Sequence, residues 1–267
     1  MSLVEYEVAD SIATITLNRP ERKNALKPEM IVRLAEAWKK VRDDDEVRVA
    51  VVTGSGGSFS SGADLGTLFP LTSGAREPED EWDQAVLDDR RLGSCAMLRG
   101  FDPRKPVIAA AGGHAIAGGM ELLGGTDIRL AVPEAKLGVQ EVKWAIFPGG
   151  GSTVRMPQQM PFSKAMEYLL TGDLMTAQQA LDYGFLNHVV EAPALMTKAY
   201  EIADKIAANG PLAVKAVRAS ARACLGLPEA EALELENKYA RPIFATEDAQ
   251  EGPRAFREKR KPNFKGR

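Results

Sequence analysis

Three short runs of valine, isoleucine and alanine constrain the fold of this chain most strongly. VRVAVVTG at 47–54 is dense in valine and ends at a glycine, and PVIAAAGG at 106–113 and DIRLAV at 127–132 are of the same type. Such runs are typical of strands buried on both faces of a sheet. Residues 28–42 carry apolar side chains at helical spacing. Strands alternating with helices predict an α/β core.

The two ends of the chain follow different patterns. SIATITL at 11–17 alternates and is a predicted strand, and LVEYEV at 3–8 is its predicted antiparallel partner. Beyond about residue 160 the periodicity is almost entirely helical, and LNHVV at 186–190 is the only further strand that we predict. The predicted helices are 161–171, 176–183, 194–208, 211–226, 229–240 and 246–258. We therefore expect a core over residues 1–190 and a helical C-terminal region over 191–267.

Composition restricts the class of protein. The chain has 267 residues, 45% of them hydrophobic, which is enough for one sizeable core with an appendage. The net charge of −3 gives no bulk attraction to nucleic acid or to an anionic membrane. Two distant cysteines, Cys95 and Cys224, fit a reducing compartment. No secretory signal is visible, so we expect a cytoplasmic protein.

Two glutamates beside glycine-rich turns carry the candidate chemistry. GGHAIAGGME at 112–121 runs from a turn into an apolar stretch, which predicts a helix beginning near Glu121. A helix N-terminus presents unpaired N–H groups that can stabilise an oxyanion. The apolar neighbours of Glu121 predict a semi-buried carboxylate. Glu141, in GVQEVKWAIFPGGG at 138–151, is the second member of a candidate acid/base pair, although that stretch alone is equally typical of a solvated turn.

Other chemistries lack their signatures in this sequence. No GK[ST] phosphate loop, GxSxG elbow, HExxH or paired CxxC occurs, and the first strand leads into NRPERKNAL rather than a GxGxxG turn. With only two histidines, His114 and His188, a transition-metal site is not expected. His114 lies in a glycine turn, where a structural hydrogen-bonding role is the better interpretation.

Taken together, the motifs resemble the crotonase superfamily, and within it the enoyl-CoA hydratases, over nearly the whole chain. The matching stretches, in order, are ITLNRPERKNAL, SFSSGADL, GHAIAGGMEL, LGVQEVKWAIFPGGGSTVRMP, LTGDLMTAQQALDYGFLNHVV and EDAQEGPRAFREKRKPNFKGR. The resemblance implies a crotonase-like ββα spiral core with a helical C-terminal oligomerisation region. It also implies a reversible hydration of 2-enoyl-CoA in which CoA is part of the substrate, with no separate cofactor.

The resemblance places site residues one by one. The oxyanion hole falls on the backbone N–H groups of Ala63 and Gly118, and the two catalytic carboxylates on Glu121 and Glu141. Gly149 falls on the glycine whose N–H positions the water. The positions implied for CoA and substrate binding are Arg22, Lys23, Ala25, Ala63, Asp64, Leu65 and Gly118. The sequence departs from the family pattern at Ala117, where glycine is frequent, and at Gln140, where proline is common.

Specificity and assembly are less constrained by the sequence. Residues 66–105 form a polar, partly helical insertion, and insertions of this kind often line a site. We expect an acyl pocket lined by Leu68, Met97, Trp144 and Phe147. Apolar faces in the C-terminal region predict a homo-oligomer, a trimer or a dimer of trimers.

Two alternative functions stay open from the sequence. The first is a Δ3,Δ2-enoyl-CoA isomerase or another crotonase-fold reaction on an acyl-CoA. The isomerase requires one carboxylate, and its members generally lack the counterpart of Glu121. The second is a non-catalytic CoA- or RNA-binding scaffold, suggested by the basic tail at 254–267, for which a solvated helix end is the better interpretation.

Overall fold

A six-stranded sheet forms the centre of the computed structural model, which describes residues 2–267. The strands of the chain are β1 (Val4–Ala9), β2 (Ile12–Leu17), β3 (Val49–Gly54), β4 (Val107–Ala111), β5 (Ala115–Ile116), β6 (Ile128–Ala131), β7 (Lys136–Gly138), β8 (Met175–Thr176) and β9 (His188–Val189). The central sheet has the order β1-β2-β3-β4-β6-β9, and β5-β7-β8 form a second sheet. Only the β1–β2 hairpin is antiparallel in the central sheet; its other neighbours are parallel.

Helices cover the sheets and make up most of the C-terminal third. They are α1 (Pro28–Asp43), α2 (Leu68–Thr72), α3 (Glu81–Asp88), α4 (Arg91–Ala96), α5 (Gly118–Gly125), α6 (Ser152–Gln159), α7 (Phe162–Thr171), α8 (Ala177–Asp182), α9 (Leu195–Ala207), α10 (Pro211–Cys224), α11 (Glu229–Phe244) and α12 (Glu247–Arg257). Short 3₁₀ turns occur at Pro20–Arg22, Glu141–Trp144 and Ala192–Ala194. No helix within residues 2–267 is long and apolar enough to cross a membrane.

The predicted elements of the central sheet are confirmed. β3 and β4 are buried along nearly their whole length, as apolar runs of this kind require. The prediction of a single further strand beyond residue 160 was wrong, because Met175–Thr176 also pairs, antiparallel to β7. A two-residue strand carries no periodicity by which a sequence could reveal it.

The core lies between the central sheet and the helices packed on it. Trp38 of α1 is fully buried, and its indole N–H donates to the carbonyl of Ala96 at the end of α4 over 3.1 Å. Burying a side chain of this size stabilises the fold by about 2–3 kcal/mol. On the other face, α9 packs against β3 and β4 through Leu195, Ala199 and Ala203. The first helix of the region 191–267 therefore covers the central sheet.

The second sheet positions the first turn of α5. β5 leads into α5 through Ala117, and an isolated bridge pairs Ala115 with Ser60, in the loop that follows β3. His114 orders the same region, since its Nδ1 accepts from the N–H of Lys136 over 3.0 Å. This hydrogen bond confirms the structural interpretation of His114. Loops after β3 and β4 are thus brought together over the N-terminus of α5.

Candidate active site

Glu121 lies in the first turn of α5 and is 6% exposed. One of its carboxylate oxygens, Oε1, accepts the N–H of Gly150 over 2.6 Å and lies 3.3 Å from the hydroxyl of Ser152. Burial raises the pKa of Glu121 above its ordinary value, although the bonds from Gly150 and Ser152 and the charge of Arg155 oppose that rise. The buried carboxylate predicted from the apolar neighbours of Glu121 is therefore present, and its partners come from the start of α6.

The amide that reaches Glu121 belongs to Gly150, the residue after Gly149. A methyl group built on Gly150 would lie 2.2 Å from Oε2 of Glu121, so the carboxylate rests directly on the glycine backbone. A methyl group on Gly149 would meet nothing closer than 3.9 Å. The role in positioning water that the resemblance gives to Gly149 stays a prediction. The sequence analysis missed Gly150, because neighbouring glycines in one cluster look alike.

Glu141 begins the 3₁₀ turn Glu141–Trp144 and is half-buried. Its Oε2 is buried and accepts no hydrogen bond from any residue in 2–267. Burial raises the pKa of Glu141, and the negative charge of Glu121 raises it further. The structure therefore brings the two predicted carboxylates within electrostatic range of each other, at the mouth of α5.

The two predicted oxyanion amides come from loops in close contact. Gly118 is the first residue of α5, and a methyl group built on it would lie 3.7 Å from the nitrogen of Ala63. Both neighbours of Ala63 are hydrogen-bonded to Leu26. The N–H of Leu26 donates to the carbonyl of Gly62 over 2.8 Å, and the carbonyl of Leu26 accepts from the N–H of Asp64 over 2.9 Å. Within the described chain, neither the Ala63 nor the Gly118 amide has an acceptor. Two free donors therefore lie side by side.

Gly62 permits this close approach of the two loops. It has φ of 86°, and a methyl group there would lie 2.7 Å from Cβ of Ala117 and 2.9 Å from the nitrogen of Gly118. Ala117 itself has φ of 53° and ψ of −125°, a conformation that favours glycine. Alanine at position 117, where glycine is frequent in the family, therefore leaves the Gly118 amide in place but strains the backbone immediately before it.

The predicted CoA loop follows β2 as a 3₁₀ turn with two left-handed residues, Lys23 and Asn24. Arg22 and Lys23 are exposed, whereas Asn24 is fully buried. The Asn24 side chain accepts from the N–H of Arg19 over 2.8 Å and donates to the carbonyls of Ser55 and Ser58 over 3.0 and 2.9 Å. These bonds fix the loop against the residues that follow β3.

Asp64 is buried and is tied to the same loop. Its Oδ2 accepts from Arg19 over 2.6 Å, and Arg19 also donates to the carbonyl of Ala25 over 3.0 Å. Burial acts to raise the pKa of Asp64, but the bonds from Arg19 and from the N–H of Gly66 outweigh it, so the pKa lies below its ordinary value. Asp64 is thus a fixed anion that joins the predicted CoA loop to the loop that carries Ala63. The sequence analysis missed Arg19 and Asn24, whose partners are distant in sequence.

The four residues predicted for the acyl pocket are placed in two different environments. Met97 is buried in the core and Leu68 packs against it. Trp144 and Phe147 are 73% and 72% exposed, and Leu65, predicted to bind substrate, is 68% exposed. Trp144 lies in the same 3₁₀ turn as Glu141, and Phe147 follows that turn by three residues. A common acyl pocket for all four stays a prediction.

The basic tail forms ion pairs within its own end of the chain. Arg260 pairs with Glu251 and Glu258, each over 2.6 Å, and Arg267 pairs with Glu247 over 3.0 Å. The tail therefore presents mixed rather than uniformly positive charge, as expected for a solvated helix end.

Comparison with known proteins gives one consistent class. A family model described as enoyl-CoA hydratase/isomerase matches residues 7–267. Enoyl-CoA hydratase EchA19 from Mycobacterium tuberculosis is 44% identical over 95% of this chain and 92% of its own. The (E)-benzylidenesuccinyl-CoA hydratase of Thauera aromatica is 37% identical over 98% of this chain and 99% of its own.

Solved structures agree with the sequence relatives. A crystal structure of an enoyl-CoA hydratase from Mycobacterium tuberculosis has a TM-score of 0.88 at 36% identity, covering 100% of both chains. A probable enoyl-CoA hydratase/isomerase from Mycobacterium abscessus has the same TM-score at 38% identity, again covering 100% of both. The chain belongs to the enoyl-CoA hydratase/isomerase family of the crotonase superfamily, as its motifs predicted. It is therefore an enzyme of the crotonase type, with the superfamily's fold.

Proposed function

We propose that this chain is an enoyl-CoA hydratase, which adds water across the C2–C3 double bond of a 2-enoyl-CoA and gives a 3-hydroxyacyl-CoA. The observation that supports this most directly is the pair of carboxylates, Glu121 and Glu141: burial raises the pKa of both, and the charge of Glu121 raises the pKa of Glu141 further. Two such groups can divide the roles of base and acid. The relatives named as hydratases agree with this choice.

The two free amides of Ala63 and Gly118 supply the electrostatic part of the reaction. Water can attack C3 only if the thioester oxygen accepts the enolate charge that develops at the same time. Two backbone donors aimed at that oxygen stabilise the charge, and each contributes about 3–4 kcal/mol in such sites. Because both amides are held by paired neighbours, they need little reorganisation when the charge appears.

The hydrogen bonds support Glu121, rather than Glu141, as the base. Oε1 of Glu121 is held by two donors, Gly150 and Ser152, which favour its ionised form. The buried Oε2 of Glu141 has no protein donor, and burial and the charge of Glu121 together raise the pKa of Glu141 despite the opposing effect of the backbone N–H groups of Gln140 and Glu141. We assign Glu121 to take a proton from the attacking water and Glu141 to give its proton to C2. In the reverse dehydration the two roles are exchanged, and no proton is gained or lost overall.

The substrate's own CoA is the only cofactor that this reaction needs. Arg22 and Lys23 are exposed cations beside the oxyanion loop, and we assign them to the phosphates of CoA. Ala25, Asp64 and Leu65 complete the contact predicted for the thioester end of CoA. The acyl group then extends toward the wall that carries Trp144 and Phe147.

The decisive experiment replaces each glutamate by glutamine, which keeps the volume and removes the titratable proton. We expect Glu121→Gln and Glu141→Gln each to lower kcat for hydration of a 2-enoyl-CoA by about 10²–10⁴-fold. The loss of the conjugated enone absorbance measures the rate. Glu134→Gln, at an exposed glutamate, is the matched control and should behave as wild type.

The same variants test the isomerase alternative. Because both glutamates act on one water and one substrate, the double variant should lose much less than the product of the two single effects. A single carboxylate is sufficient for a Δ3,Δ2-isomerase, so Glu121→Gln should spare any such side activity more than hydration. Hydratase turnover within a few-fold of wild type for Glu121→Gln would refute the two-carboxylate mechanism and favour the isomerase.

We also propose that the chain assembles as a homotrimer or a dimer of trimers through its C-terminal helices. An apolar groove of about 420 Å³ lies between α10 and α11. Val217, Leu233 and Phe244 at this groove are 70%, 53% and 79% exposed. Contiguous exposed apolar surface of this kind marks a protein interface. A monomer at micromolar concentration in sedimentation velocity would refute the assembly.

A further inference from the structure

Arg155 contacts α5, the helix that carries Glu121, without forming an ion pair with any carboxylate. It lies on α6, one turn after Ser152, and is half-buried. Its Nη1 donates to the carbonyl of Glu121 over 3.0 Å and to that of Met97 over 3.1 Å, and its Nη2 donates to the carbonyl of Leu98. All three acceptors are backbone atoms, so the positive charge of the guanidinium is not neutralised by a hydrogen-bonded anion.

Among the charged groups that act on Arg155, Glu121 is the one of opposite sign. Arg155 faces Glu121 on α5 and three further cations, which are Arg222 on α10, Arg99 after α4 and Arg129 on β6. Glu121 faces Arg155 from α6 and Glu141 from the 3₁₀ turn. Burial and the charges of Arg222 and Arg99 lower the pKa of Arg155, whereas the charge of Glu121 raises it. Ionised Glu121 is therefore the anion that this site offers to Arg155.

The geometry points to Arg155 as a positioning residue that holds the first turn of α5 and keeps Glu121 ionised when the substrate binds. It does so from the backbone side of Glu121, whereas Gly150 and Ser152 act on the carboxylate itself. Entry of an apolar acyl group removes water from the site and raises the energetic cost of a buried charge. The guanidinium of Arg155, held in place by three backbone carbonyls, offsets part of that cost without touching the substrate.

Gln159 supplies a matched control on the same helix. It lies one turn further along α6, and its Nε2 donates to the carbonyl of Gly124, also on α5, over 2.9 Å. Gln159 therefore ties the same two helices together through a neutral donor. A variant at Gln159 loses the tether without losing a charge, which separates mechanical support from electrostatic control.

The inference rests on the proposed hydratase function, and the experiment separates the two. Arg155→Gln removes the charge, Arg155→Lys keeps it but loses the planar fork, and Gln159→Leu removes the neutral tether. For Arg155→Gln we expect the ratio of kcat at pH 6 to kcat at pH 8 to fall about three-fold below that of wild type, because Glu121 is ionised over a narrower pH range. KM should change little. Arg155→Lys and Gln159→Leu should keep the wild-type ratio while losing kcat or thermal stability.

A second measurement does not depend on turnover. With ¹³C-labelled glutamate, the carboxyl resonance of Glu121 is the one missing from Glu121→Gln, and it should titrate at higher pH in Arg155→Gln than in wild type. An unchanged titration and an unchanged kcat ratio in Arg155→Gln would overturn the inference, whether or not the enzyme is a hydratase. If Arg155→Gln does not fold, a Glu121 titration altered in Arg155→Lys would overturn it. Absence of hydratase activity in wild type would instead overturn the proposed function.

Discussion

Replacing Gly150 by alanine tests the geometry of the site most directly. The added methyl group would lie 2.2 Å from Oε2 of Glu121 and 2.6 Å from its Cδ, whereas ordinary contact begins near 3.4 Å. The carboxylate must therefore move by about 1.2 Å, the difference between the first and last of these distances. A displacement of this size in a catalytic group costs about 10²-fold in rate. Because Gly150 does not have a positive φ, the backbone itself accepts alanine.

Gly149→Ala is the matched control for this prediction. A methyl group there meets nothing closer than the carbonyl of Phe147 at 3.9 Å. We expect Gly150→Ala to lose about 10²-fold in kcat for 2-enoyl-CoA hydration. Its melting temperature should stay within a few degrees of wild type, since the two atoms closer than 3.0 Å end a flexible side chain and Cβ of Glu121, at 3.1 Å, needs to move by only a few tenths of an ångström. Gly149→Ala should keep kcat within a few-fold. Equal kcat for Gly150→Ala and wild type would refute the placement of Glu121 against this glycine.

Three further predictions concern strain, CoA binding and the stability of the site. Ala117→Gly should relieve a backbone conformation that costs about 1–3 kcal/mol. The greater freedom of glycine in the unfolded chain offsets part of this gain, so we expect thermal denaturation to show a melting temperature raised by about 2–4 °C. Replacing Arg22 and Lys23 by alanine should raise KM for acyl-CoA but not for a truncated thioester without the nucleotide, and equal effects in steady-state kinetics would contradict the assignment. Burial raises the pKa of Glu121 above 4.5, so its ionisation destabilises the folded state at pH values above that raised pKa, and the penalty disappears as the pH falls through it. Glu121→Gln should therefore be more stable than wild type at pH 8 and lose that advantage toward pH 4, which chemical denaturation at both pH values would check.

The sequence predicted best what depends on periodicity over several residues. β3 and β4 are apolar throughout and α1 repeats its apolar residues at helical spacing, so each was recognisable alone. The strands of the second sheet, such as Lys136–Gly138, are too short to show a pattern. These short strands form because loops distant in sequence pair with each other, and no local sequence pattern indicates such pairing.

For the candidate site, the motifs identified loops that the structure brings together, but not every contact between them. Glu121 was identifiable as a buried carboxylate because apolar residues surround it in sequence. Its hydrogen bonds from Gly150 and Ser152 depend on where α6 begins relative to α5, a tertiary relation. Arg19 and Asn24 were missed for the same reason, since their function is to bond residues on other loops.

The spacing of Gly118 and Glu121 on one helical turn has a consequence for changing this enzyme's chemistry. Three residues of α-helix rise about 4.5 Å, so the proposed oxyanion donor Gly118 and the proposed base Glu121 are separated by a fixed helical rise rather than by an adjustable loop. Any motion of α5 carries both together, so the spacing between the Gly118 amide and the backbone of Glu121 is built into the helix. Trp144 and Phe147, which we propose line the acyl pocket, lie outside α5, so side chains there can change without altering that spacing.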